Sequence, residues 1–101
     1  MTISMTVPPR SPLVWLGQVL DSHRLPADVR AVAVALAEHA DDEMMSAPGI
    51  AKLRASTDLL EWKVIRALHD LQLTGHIVKV ATAKPFLAES HDSYKLQASG
   101  R

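Results

Sequence analysis

Residues 46–75 read SAPGIAKLRASTDLLEWKVIRALHDLQLTG, two short helical patterns separated by a tight turn and closed by a glycine. Ser46 is placed to cap a first helix over Ala47 to Ala55, with Ile50, Ala51 and Leu53 on its buried side. Ser56 and Thr57 form the turn. Asp58 and Glu61 have capping-box spacing, in which the aspartate accepts from early amides and the glutamate folds back, so a second helix restarts near Leu59. Leu60, Val64, Ala67, Leu68 and Leu71 recur at the spacing of one helical face and are expected to form core. Gly75 can end that helix in the left-handed conformation without a Cβ clash.

The opposite face of the second helix carries the candidate chemistry. Leu59, Trp62, Lys63, Arg66, His69 and Leu73 project away from the core stripe. In a DNA-binding helix-turn-helix this helix enters the major groove of double-stranded DNA. Arg66 can donate two parallel hydrogen bonds to guanine O6 and N7, and Lys63 can serve a base or a phosphate. His69 adds a contact, strongest when protonated. Lys52 and Arg54 before the turn, Trp62 on the face itself, and Lys79 and Lys84 after Gly75 complete the candidate DNA-binding set.

The order of helix, short helix, turn and longer helix ending in L-x-x-x-G, followed by HIVKV and later SYKLQ, resembles the winged helix-turn-helix DNA-binding domains of bacterial transcription regulators and of plasmid or phage replication proteins. The resemblance spans Leu25 to Gln97. Within it, LPADVRAVAVALAEHAD looks like the scaffold helix that opens such domains. It implies a mainly α fold with a small β-hairpin (α+β), a winged helix-turn-helix with an extra N-terminal helix. The chain departs from the family where the second helix begins. Asp58, Leu59 and Leu60 stand in place of the usual glycine, apolar residue and serine or threonine, and Glu61 and Trp62 replace small polar or basic residues.

The flanking segments fit one domain. At 101 residues, 48% of them apolar and 4% aromatic, the chain matches a helix-rich packed domain. Residues 1–10 read as a flexible arm rich in proline, 11–97 as the domain, with the helix-turn-helix at 46–74 and the wing at 76–97, and 98–101 as a tail. Ser11 and Pro12 open a first helix to about Ser22. Its stripe of Leu13, Leu16, Gly17 and Leu20 is expected to face the core, leaving Val14, Trp15 and Val19 as a second apolar surface. Trp15 and Val19 then meet the other subunit of a homodimer, or Trp15 caps this domain's own core; the sequence leaves both open.

A second helix from Pro26 to about Ala40 repeats Val29, Val32, Ala33, Leu36, Ala37 and Ala40 at helical spacing, the pattern of a central scaffold. Asp41, Asp42 and Glu43 end it in a solvated acidic turn. His76 to Ala81 and Ser93 to Gln97 read as paired strands, with Ile77, Val78 and Val80 facing Tyr94 and Leu96. The intervening tip, residues 82–92, contains Lys84, Phe86 and His91.

Net charge is zero, yet residues 1–45 hold three basic side chains against six acidic, and residues 46–101 hold eight against five. Such a split orients a molecule on a polyanion, basic half inward. There is no cysteine, which excludes a disulfide framework and thiolate zinc sites and fits the cytoplasm. The start, MTISMTVPPR, has neither a basic leader region nor a long apolar run, so no signal peptide or membrane span is expected. His23, His39, His69, His76 and His91 show no paired ligand spacing, and no phosphate loop or catalytic pairing is visible. No cofactor, metal or enzymatic activity is expected.

The sequence therefore points to a DNA-binding regulator, a repressor acting as a homodimer. Two alternatives remain. One is a plasmid or phage replication or recombination accessory protein using the same fold. The other is a winged-helix protein-interaction module with its partner on the Trp62 face.

Overall fold

A computed structural model describes residues 11–21, 25–82 and 91–97. Four helices, α1 (Pro12–Leu20), α2 (Ala27–Glu38), α3 (Gly49–Thr57) and α4 (Glu61–Leu73), pack with three strands, β1 (Met45–Ser46), β2 (Ile77–Ala81) and β3 (Ser93–Leu96). The class is α+β, as the sequence suggested. The expected arm at 1–10, the tail at 98–101 and the wing-tip residues Lys84 and Phe86 lie outside the described residues.

Helix α2 is the scaffold. Val29, Val32, Ala33, Ala35 and Leu36 are buried, and α1, α3 and α4 all pack against it. Its alanines and valines allow close approach on more than one side, which a helix covered by three others requires.

Helix α1 begins as its sequence dictates, with Ser11 accepting from the amide of Val14 at 3.2 Å. Its faces differ from the expected ones in part: Leu16 packs against the core and Val14 is exposed, as expected. Trp15 and Val19 are fully buried, whereas Leu13 is 77% and Leu20 41% exposed. The deciding group is the indole. Trp15 Nε1 donates to the carbonyls of His76 at 2.9 Å and Gln97 at 3.1 Å, so the largest apolar side chain is buried with its polar atom satisfied. Trp15 and Val19 thus belong to the chain's own core and have no surface left for a second subunit.

The three strands form an antiparallel sheet in the order β1-β3-β2. Strand β1 has no counterpart in the sequence reading, which assigned Ser46 to a helix cap. Ser46 instead pairs with Tyr94, and its buried hydroxyl donates to the carbonyl of Leu36 at 2.8 Å, tying the sheet to α2. The next helix accordingly starts later, at Gly49, with no side-chain cap. Before it, Asp41 Oδ1 accepts from the amides of Glu43 and Met45 and folds the acidic turn, while Met44 is buried with φ of 66°.

The hairpin of β2 and β3 pairs Ile77 with Leu96, Val78 with Lys95 and Lys79 with Tyr94. Ile77, Tyr94 and Leu96 are buried, but Val78 and Val80 are exposed, contrary to the expected facing. Strand alternation sends both valines to the other side of the sheet from Ile77, and the pairing shifts register between Lys79 and Ala81. Gly75, at φ of 83°, ends α4 as foreseen and turns the chain into the sheet.

Candidate nucleic-acid interface

The connection between α3 and α4 fixes the site. Asp58 is left-handed at φ of 62° and caps the C-terminus of α3, its amide donating to the carbonyl of Arg54 at 2.8 Å. Aspartate tolerates that conformation better than most residues with a side chain. The Thr57 hydroxyl donates to the carbonyl of Leu53 and accepts from the amide of Leu59 at 3.3 Å. The expected capping box of Asp58 and Glu61 is not formed, because Leu60, extended at φ of −68° and ψ of 155°, occupies the cap position and brings no side-chain hydrogen bond.

With α4 starting at Glu61, Leu60 falls before the first turn and off the helical stripe. It is 57% exposed, and Leu59 packs against the core in its place. The two leucines have exchanged the roles expected of them. The remainder of the stripe, Val64, Ala67, Leu68 and Leu71, is buried as predicted.

On the outer side of α4, Trp62, Ile65, Arg66, His69 and Leu73 are exposed and Lys63 is half-buried. The Trp62 ring lies 5.6 Å from Lys63 Nζ and 5.7 Å from Arg66 Cζ, within cation–π range of both. Ile65, half exposed, was missed because the sequence reading sorted apolar residues by a single core stripe. Its signal was available: positions 62, 65, 66, 69 and 73 have the spacing of a second helical face. A shallow cleft lined by Arg54, Leu60, Glu61, Trp62 and Ile65 joins α3 to this face.

The remaining candidates are placed around it unequally. Lys52 and Arg54 on α3 are exposed. Lys79 on β2 lies 3.1 Å from Asp92, so part of its charge is answered within the hairpin. Among the described residues, Lys52, Arg54, Lys63 and Arg66 make no ion pair with a carboxylate. Lys95, exposed on β3, is a further cation that the sequence reading did not single out.

Two titrating groups lie away from this face. Burial lowers the pKa of His76, whose ring Nδ1 lies 2.8 Å from the Thr74 hydroxyl. Tyr94 is raised, first by burial and then by the charge of Asp92. Among the described residues no group of three or more potential ligands is gathered for a metal, and no helix is long and apolar enough to cross a membrane. Comparison with protein families, characterised proteins and solved structures returns no match.

Proposed function

We propose that this chain is a winged helix-turn-helix protein that binds double-stranded DNA in a sequence-specific manner and regulates transcription as a homodimer. The observation that carries the reading is the placement of charge: all four cations of the α3–α4 unit, Lys52, Arg54, Lys63 and Arg66, lie off the buried stripe and none is ion-paired among the described residues. Cations left unanswered on a helix whose other face is core are the groups that phosphates and guanine edges take up. The order of elements and the left-handed turn before α4 support the same reading. On it, Arg66 reads a base, Lys63, Lys52 and Arg54 hold phosphates, and the hairpin with Lys79 lies along the backbone.

A lone module of this size reads few base pairs, and pairing on a two-fold site supplies the missing specificity. Since Trp15 and Val19 are buried, the second copy is placed on the opposite side of α1, where Leu13, Val14 and Leu20 are exposed. Selection of bound duplexes from a random library, read by sequencing, tests the whole reading. An enriched inverted repeat, bound more weakly as salt rises, is the expected result; absence of any enrichment overturns it.

The exposed apolar residues Leu60, Trp62, Ile65 and Leu73 favour one competing reading, a protein-interaction module. Binding carried by an apolar contact would persist at high salt, which separates the two.

A further inference from the structure

The face of α4 is unusual for a phosphate-binding surface in that exposed apolar side chains stand among its cations. Ile65 is 50% exposed and lies one turn from both Trp62 and His69, while its neighbour Arg66 projects beside it. Exposed β-branched side chains gain nothing from water, and hydrogen-bond donors or acceptors dominate the floor of the major groove. One apolar group stands out there: the C5-methyl of thymine, which 5-methylcytosine shares. We propose that Ile65, with Trp62 as its wall, contacts the C5-methyl group of a pyrimidine in the major groove. This rests on the duplex-DNA reading above and specifies what the same face recognises.

Charge complementarity selects DNA as the occupant of this apolar strip. Arg54 and one carboxylate, Glu61, line the cleft that holds Trp62 and Ile65, and Lys63 and Arg66 flank the same indole at 5.6 and 5.7 Å, so cations outnumber the carboxylate around the strip three to one. Cations beside an apolar strip match a groove whose rims are phosphate and whose floor carries a methyl group. The contact of Arg66 with Trp62 also limits where the guanidinium can go.

The test compares three random-sequence duplex libraries, one with thymine, one with uracil replacing every thymine, and one with uracil plus 5-methylcytosine. Each is bound to the full chain at fixed salt, and the affinity of the enriched fraction is read by fluorescence anisotropy. Loss of the methyl contact should weaken the uracil library about fourfold, the equivalent of one buried methylene. Ile65→Ala should bring thymine and uracil libraries to the same affinity, while a thermal melt confirms that this exposed substitution leaves the fold intact. Tighter binding of the third library than of the other two assigns the methyl to 5-methylcytosine, and tighter binding of the first library than of the second assigns it to thymine. Salt-dependent binding that is equal for all three libraries overturns the inference and leaves the DNA reading standing. No duplex binding in any library overturns both.

Discussion

The guanidinium carbon of Arg66 lies 5.7 Å from the ring centroid of Trp62, one helical turn earlier on the exposed face of α4. A flexible arginine resting on an indole loses less rotamer freedom when it engages a base. Arg66→Ala should therefore cost about 1 to 3 kcal/mol of DNA affinity and relax preference at one base position. Trp62→Ala should also weaken binding, through a less ordered arginine, whereas Trp62→Phe should retain much of it because a ring face remains. Affinity and base preference measured on selected duplexes check the set. Equal behaviour of Trp62→Ala and wild type would remove the indole from any role in presenting Arg66.

The turn into α4 should be improvable. Asp58 holds a left-handed conformation that glycine adopts without a Cβ penalty, so Asp58→Gly should stabilise the fold by about 0.5 to 1 kcal/mol. Leu60 sits at a cap position without a capping group, and Leu60→Ser should add about 0.5 to 2 kcal/mol by satisfying an early amide of α4. Chemical denaturation of each single variant measures both. A loss of stability in Leu60→Ser would mean that the exposed leucine has a packing partner.

That turn also shows where sequence reasoning succeeds and fails. The stripes of α2 and of α4 from Val64 onward were legible because each repeats at helical spacing over several turns. Helix α1 offers two apolar faces, and spacing cannot say that Trp15 will find carbonyls at His76 and Gln97, residues distant in sequence. Asp58 fits both a capping box and a left-handed C-cap, and the choice moves Leu59 inward and Leu60 outward. Strand β1, two residues long, has no period to detect. In the candidate site, charge was legible residue by residue, while Ile65 was hidden because an apolar residue on a second face resembles an imperfect core.

His76 couples stability to pH. Its ring is buried, which lowers its pKa in the folded chain below the usual 6.5, so the unfolded chain takes up a proton first as pH falls. Stability should be fully present above pH 6.5 and should decline as pH falls through that value toward the lowered folded pKa. Denaturation midpoints across the acid range should show the decline, and His76→Gln should reduce it. Tyr94 acts at the other end: its raised pKa means that stability should fall as pH rises above 10.0. An acid limb of unchanged slope in His76→Gln would assign that decline to the carboxylates.

Helix α1 gives the last expectation. It carries no charged residue over Pro12–Leu20, and Leu13, Gly17 and Leu20 recur at one face that the chain's described residues leave exposed. A Cβ built on Gly17 meets nothing within 4 Å, so packing among the described residues does not demand glycine there, although a mid-helix glycine costs about 0.5 to 1 kcal/mol against alanine. Two copies crossing antiparallel at this glycine would set Leu13 of one against Leu20 of the other, a pattern complementary to itself. One face of a nine-residue helix buries less than a stable dimer usually needs, so association should be weak alone and strengthened by a two-fold DNA site. Gly17→Ala should raise the thermal midpoint, and Gly17→Glu should abolish concentration-dependent association in sedimentation while leaving the fold intact. If the wild-type chain sediments as a monomer at every concentration, on two-fold duplexes as well as free, the homodimer reading fails. If Gly17→Glu instead lowers the melting point of that monomer, another part of the same chain covers the face.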